Sequence, residues 1–308
     1  MEGLVVAVVG PTATGKSDLA IALAQRLRGE VVGADASQLY RGMDIGTAKV
    51  PLEERHGIPH HQLDVLDVSE EASVAAYQRH ARADIDAVLA RGAVPVVAGG
   101  SGLYVRAALD RLEIPPTDPD VRAALQERLD REGVVALLAE LRAVDPPAAD
   151  AIEPNNGRRV VRALEVIALT GRPFSATMPT REFVRPTVLV GLRTDREALD
   201  ARVDRRARRM FDAGLVDETR GLVAHGLREG RTASRAVGYA QALAVIDGAA
   251  TLEDAVAETA LRTRRLVRRQ ESWFGADPRV AWFDPLAEPW DDLVDRVLEH
   301  VTHNGAHG

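Results

Sequence analysis

Leu4-Val-Val-Ala-Val-Val9, followed at once by Gly10-Pro-Thr-Ala-Thr-Gly-Lys-Ser17, is the stretch that sets the architecture. An uninterrupted apolar run, rich in valine and stopped by Gly10-Pro11, has the length of a strand buried on both faces. From Ser17 to Arg28, Leu19, Leu23 and Leu27 recur at helical spacing, so the segment reads strand, loop, helix. The loop matches G-x-x-x-x-G-K-S/T in the strand-to-helix context that gives this pattern its meaning. Gly10, Pro11, Thr12, Ala13, Thr14, Gly15, Lys16 and Ser17 form a phosphate cradle. Its glycines let successive amides converge on phosphate oxygens at a helix N-terminus, Lys16 adds a cation, and the Ser17 hydroxyl can ligate Mg²⁺.

Working outward, Val31-Val-Gly-Ala34 reads as a second strand ending at Asp35, and Val94-Pro-Val-Val-Ala98 as a third ending at Gly99-Gly100. Val74 to Ala90 between them reads as a helix. Buried strands alternating with helices predict a parallel sheet covered on both sides, an α/β, P-loop NTPase-like three-layer α/β/α core. Pro115-Pro-Thr-Asp-Pro119 then punctuates the chain, and Val121 to Arg142 and Arg158 to Thr170 read as helices with no strand between. Val188 to Leu192 restores a strand, Asp195 to Leu215 reads as one long arginine-rich helix, helices continue through Trp273, and Val280 to Phe283 is a short strand. The expected domains are a core over 1–110 and 186–302 and an all-helical insertion over 111–185. A frayed end is expected after His300, with a flexible tail over 303–308.

The 308 residues are 46% hydrophobic, enough to fill such cores. The chain has no cysteine, which excludes disulfides, thiolate zinc sites, Fe–S clusters and a cysteine nucleophile. Leu4 to Val9 is too short, and Glu2 on its flank too acidic, for a signal peptide; no stretch reaches the roughly 18 apolar residues of a membrane span. A cytoplasmic protein with no membrane partner is expected. The net charge of -7 opposes indiscriminate coating of nucleic acid but leaves room for a local basic face. Of 39 basic residues only Lys16 and Lys49 are lysines. A chain that avoids lysine keeps it where a point charge must meet a phosphate, which predicts that role for both.

The acid that usually ends the partner strand of a phosphate loop is missing, because that strand ends Ala98-Gly99-Gly100. Asp35 ends the second strand at the same sheet edge as the loop, where doubly wound sheets place ligands. It can serve there as a metal-linked acid or as a general base. His60-His61 invites a metal reading, but adjacent side chains diverge and no third ligand is evident, so a channel or packing role is expected.

The run Ala34-Asp-Ala-Ser-Gln-Leu-Tyr-Arg-Gly-Met-Asp-Ile-Gly-Thr-Ala-Lys49, then Ile58-Pro-His-His61 and Pro95-Val-Val-Ala-Gly-Gly-Ser-Gly-Leu-Tyr104, is far more specific. With Val237-Gly-Tyr-Ala-Gln241, Thr263-Arg-Arg-Leu-Val-Arg-Arg-Gln270 and Trp273-Phe274, it resembles the tRNA dimethylallyltransferases, or tRNA isopentenyltransferases, of bacterial type. The zinc finger of the eukaryotic relatives would need cysteines that this chain lacks. The resemblance implies transfer of the dimethylallyl group from dimethylallyl diphosphate to N6 of adenosine 37, beside the anticodon, with diphosphate as leaving group and Mg²⁺ as cofactor. It implies Asp35 as general base and Lys16, Arg206 and Ser101 as catalytic groups at the diphosphate. Ser101 stands where the family has threonine, and its hydroxyl can bond the bridging oxygen or the neighbourhood of Asp35. Asp35, Ala36, Ser37, Gln38 and Ser101 are implied to meet the target nucleotide, and Arg122, Arg158 and Arg159 the anticodon stem-loop. Ala36 departs from the usual serine, so any hydrogen bond from that hydroxyl is absent. A monomer is expected. The competing readings are an adenylate isopentenyltransferase acting on free AMP, ADP or ATP and a P-loop kinase of a small metabolite.

Overall fold

The computed structural model describes residues 3–177 and 181–305. Six parallel strands, β1 (Val5–Val9), β2 (Gly29–Gly33), β3 (His60–His61), β4 (Val94–Gly99), β5 (Thr187–Leu192) and β6 (Val280–Phe283), form one sheet in the order β3-β2-β4-β1-β5-β6. β1 lies between β4 and β5 and is buried along its whole length, as its valines require. From β1 the chain passes over β4 to β2, whereas from β4 it passes over β1 to β5. Connections that depart in opposite directions leave a crevice at the carboxyl ends of β1 and β4.

The helices are α1 (Lys16–Leu27), α2 (Val74–Ala90), α3 (Gly102–Leu109), α4 (Pro119–Val144), α5 (Pro146–Ala151), α6 (Gly157–Thr170), α7 (Arg196–Asp212), α8 (Leu215–Val223), α9 (Tyr239–Ile246), α10 (Leu252–Gly275) and α11 (Trp290–Gly305). On one face of the sheet Val6, Val8, Val96, Val188 and Val190 pack with Leu19 and Leu23 of α1 and Leu293, Val297 and Val301 of α11. On the other, α2 and α3 lie against β2 and β4, with the Tyr77 and Tyr104 rings 4.5 Å apart. Among the described residues no helix is long and apolar enough to cross a membrane.

Two compact units are present, Met1–Leu109 with Phe183–Gly308, and Asp110–Glu182. The second is built from α4, α5 and α6 around Leu125, Leu137, Leu141, Val160, Val161 and Leu164. Its polar centre is Glu165, whose side chain is fully buried. The carboxylate accepts from Thr117 Oγ1 (2.7 Å), the Asp118 amide (3.0 Å), Arg122 Nη2 (2.8 Å) and Arg162 Nη1 (2.7 Å). Burial opposes its charge, yet these hydrogen bonds outweigh burial and hold the carboxyl down at about 2. Because the folded value lies below the unfolded one of 4.5, the stabilisation is complete above about 4.5 and is lost as pH falls toward about 2. Glu165→Ala strands two arginines and is expected to cost about 3–5 kcal/mol, measured as lost amide-exchange protection in α4 and α6.

Three sequence expectations change. The segment from Asp195 to Leu215 is two helices, because Gly214, at a φ of +98°, ends one and starts the next. Within α4, Gly133 breaks the helix at a φ of +80°. The chain after His300 is not frayed: α11 continues through Gly305, with Val301 fully buried against the sheet. Of the tail expected over 303–308, residues 306–308 lie outside the described residues.

Candidate functional site

At the carboxyl edge of the sheet lies a pocket of about 560 Å³. The phosphate loop, the segment after β2, the end of β4, the loop over 47–54 and one face of α7 line it, among them Thr12, Lys16, Ser17, Asp35, Gln38, Gly99, Gly100 and four arginines. Gly10, at a φ of +129°, lets the loop leave β1 against β5; a Cβ there would lie 2.4 Å from the Leu192 carbonyl oxygen. Thr14 Oγ1 donates to the Pro11 carbonyl at 2.8 Å and closes the loop from within. Gly15, the N-cap residue of α1, offers no side-chain cap, so the first-turn amides of α1 face the pocket with no partner from the cap.

Lys16 donates from Nζ to the Pro11 carbonyl at 2.6 Å. Burial is the largest influence on it and pushes it down to about 7; the Asp35 carboxylate opposes this and the Arg206 guanidinium adds to it. Burial likewise lowers the proton affinity of Arg206, with Asp35 opposing, although a guanidinium keeps its charge. Burial raises Asp18 against the pull of Arg202 and Arg206. Arg202, Arg205, Arg206 and Arg209 stand at i, i+3, i+4 and i+7, one stripe of α7. Among the described residues none of these four donates a hydrogen bond to the protein or forms an ion pair. By contrast Arg91, Arg122, Arg228 and Arg279 are all bound to carboxylates. A pocket carrying four guanidiniums and the ammonium of Lys16, with the lining Lys49 paired to Asp44 and Asp64 and lining carboxylates only at Asp18, Asp35 and Glu54, is built for a multiply charged anion.

Asp35 stands two residues beyond β2, across the pocket from the loop. Its Oδ1 accepts from the Ser37 amide (3.0 Å) and Ser37 Oγ (2.8 Å), and its Oδ2 accepts nothing from the described residues. Ser101 Oγ accepts the Ala36 amide at 3.3 Å, and the Ser101 amide donates to the Ala34 carbonyl at 3.4 Å. Ala36, Ser37 and Ser101 therefore brace Asp35 without lining the pocket themselves, while Gln38 lines it and donates from Nε2 to the Thr47 carbonyl at 3.1 Å.

Lys49 corrects the expectation drawn from the scarcity of lysine. Its side chain is 3% exposed, and Nζ donates to the Tyr40 carbonyl (2.9 Å), Asp44 Oδ1 (2.7 Å) and Asp64 Oδ1 (2.6 Å). Three protein oxygens exhaust the three donors of an ammonium, so none remains for phosphate. Lys49→Ala is expected to lower thermal stability by about 2–3 kcal/mol and leave pyrophosphate affinity unchanged, by thermal unfolding and titration calorimetry. The same loop is pinned by Glu218, which accepts the Ile45 amide at 2.9 Å and the Tyr239 hydroxyl at 2.5 Å. Glu218 has no local signature, since its partner Ile45 lies 173 residues away. His60 and His61 form edge strand β3, where His61 Nε2 meets Glu30 at 2.6 Å.

In the second unit, Arg122 is tied to Glu165, while Arg158 and Arg159 are exposed in the first turn of α6, which has no acidic residue. Cations there oppose the helix dipole, so they are held at a cost to the helix.

The IPP transferase family model matches residues 38–277. The chain is 60% identical over 294 residues to the tRNA dimethylallyltransferase of Streptomyces avermitilis, covering 96% of this chain and 94% of that one. It is 61% identical over 278 residues to that of Streptomyces coelicolor, covering 90% and 89%. Among solved structures it is similar to the full-length tRNA isopentenylpyrophosphate transferase of Bacillus halodurans, with a TM-score of 0.73 and 40% identity over 100% of this chain and 98% of that one. It is also similar to a eukaryotic dimethylallyltransferase acting on tRNA, with a TM-score of 0.84 and 26% identity over 98% and 79%. With relatives of this identity along nearly its whole length, the chain belongs to the IPP transferase family, that of the tRNA dimethylallyltransferases.

Proposed function

We propose that this protein transfers the dimethylallyl group from dimethylallyl diphosphate to N6 of adenosine 37 in tRNA, releasing diphosphate. The observation that carries this reading is one pocket with an anion cradle on one side and a braced carboxylate, one oxygen uncommitted among the described residues, on the other. The diphosphate sits on the loop amides, Lys16 and Arg206, which meet the negative charge that grows on the leaving oxygen as the C1–O bond breaks. The lone pair of N6 forms the new bond to C1, and the N6 proton passes to Asp35 Oδ2.

Mg²⁺ fits the donors present: among the described residues no group of three carboxylates or histidines assembles, and the Ser17 hydroxyl lines the pocket. A Mg²⁺ ion draws most of its ligands from phosphate oxygens and water, so one hydroxyl suffices to hold it. Bound there, it would neutralise charge on the leaving diphosphate.

Gln38 gives one N–H of Nε2 to the Thr47 carbonyl and meets the adenine edge with its Oε1 and the second N–H. Arg158 and Arg159, exposed and without an acidic residue in their helical turn, and the exposed part of Arg122 meet phosphates of the anticodon stem-loop. Labelled dimethylallyl diphosphate incubated with Mg²⁺ and unmodified tRNA is expected to deliver label to the RNA. Label appearing in free AMP and none in tRNA would overturn the substrate assignment.

A further inference from the structure

Gln270 lies on α10 outside the pocket lining, yet both ends of its amide are bound at the site. The side chain is buried; Oε1 accepts the Thr12 amide N–H at 2.9 Å and Nε2 donates to the Gly100 carbonyl at 3.0 Å. Thr12 belongs to the phosphate loop. Gly100 belongs to the turn after β4, directly before Ser101, whose amide and hydroxyl are joined to the residues on either side of Asp35. One side chain therefore bridges the segment that grips the leaving group and the segment that braces the base.

The fit depends on bare backbone. A Cβ on Gly100 would lie 2.2 Å from Gln270 Nε2, and a Cβ on Gly102 would lie 2.1 Å from the ring of Trp273. An apolar residue at 270 would leave a donor on the loop and an acceptor on the turn unpaired beside the pocket. An amide offers a donor and an acceptor in one plane at this spacing without adding charge beside a diphosphate at any pH. The bond also withdraws the Thr12 N–H from phosphate, which leaves the amides after it to form the cradle.

We propose that Gln270 is a positioning residue that sets the separation between the diphosphate cradle and Asp35, an inference that rests on the prenyl-transfer reading. Each substrate binds to one side of the bridge, so its loss misaligns the two reactants and leaves the affinity for each alone nearly intact. The expected signature is a kcat lowered by about 10- to 100-fold, with pyrophosphate and tRNA dissociation constants close to wild type.

The test compares the wild-type protein with Gln270→Ala and the isosteric Gln270→Glu, which covers the case in which the smaller residue fails to fold. The carboxylate introduced by Gln270→Glu can accept from Thr12 but repels the Gly100 carbonyl; once protonated it can do both jobs. The kcat deficit of this variant, taken as a ratio to wild type at each pH, is expected to narrow as pH falls through the titration of the new carboxyl, which burial moves upward. Amide exchange at Thr12 is expected to quicken by about tenfold in Gln270→Ala while the β1 and β4 amides stay protected. A wild-type kcat in folded Gln270→Ala, or a Gln270→Glu deficit that is flat with pH, overturns the proposal. If the wild-type protein transfers nothing to tRNA, the functional reading falls. Thr12 exchange then decides whether the bridge sets the loop, with unchanged exchange overturning it and faster exchange supporting it.

Discussion

Asp35→Asn lowers turnover by about 10²- to 10⁴-fold while inorganic pyrophosphate binds nearly as before. The exocyclic amine of adenine is a weak nucleophile because its lone pair is delocalised into the ring, so the new C–N bond needs a base that takes the proton as it forms. Asp35 Oδ1 is committed to Ser37, which fixes the carboxylate and leaves Oδ2 to receive that proton. Asparagine keeps the shape and the Ser37 bonds but has no basic oxygen. The experiment has one confounding route: the Asp35 charge raises the proton affinity of Lys16, so its removal lets Lys16 deprotonate at lower pH. Turnover and pyrophosphate affinity are therefore to be followed as pH is lowered from about 7, which restores the Lys16 charge in both proteins. An Asp35→Asn protein that turns over at the wild-type rate removes the base.

Lys16→Ala lowers kcat/KM by about 10²- to 10³-fold and, unlike Asp35→Asn, weakens pyrophosphate binding as well. Its pH dependence has a definite sign. In the free protein Lys16 loses its proton as pH rises through about 7, and a bound diphosphate favours the charged form. Above about pH 7 the wild-type affinity should therefore fall by up to about tenfold per pH unit relative to Lys16→Ala. Ionisation of pyrophosphate itself is common to both proteins and cancels in the ratio. Stability without ligand runs the other way: the folded value lies below the unfolded 10.5, so between about 7 and 10.5 the unfolded chain binds the proton more tightly and stability rises with pH. Calorimetric titrations at several pH values read the affinities, and thermal unfolding reads the stability.

What can be read from the sequence is what chemistry demands of neighbouring residues. The phosphate loop is legible because converging amides require glycines at set spacings between a strand and a helix, and Asp35 because it ends a buried strand at the same edge. The stripe of Arg202, Arg205, Arg206 and Arg209 is legible too, by its period, although a dense basic run hides which arginines face inward. Other features depend on distant partners. Lys49 sits in a motif that invites a phosphate role, and only the approach of Asp64 and the Tyr40 carbonyl shows its donors to be spent. Gly133 and Gly214 each sit in a helical pattern that tolerates a glycine, and the backbone breaks there at a positive φ that periodicity does not announce. Gln270 stands within an arginine-rich motif, but its partners lie 258 and 170 positions away.

The placement of β4 between β1 and β2 also sets a distance. Neighbouring strands lie about 4.8 Å apart, so the ends of β1 and β2 are separated by about 9.6 Å. Had β1 and β2 been hydrogen-bonded directly, cradle and carboxylate would sit about one strand apart. The interposed strand ends at Gly99 and Gly100 follows it, so neither brings a side chain into the gap. The strand order is thus a ruler that sets how far the carboxylate stands from the anion cradle.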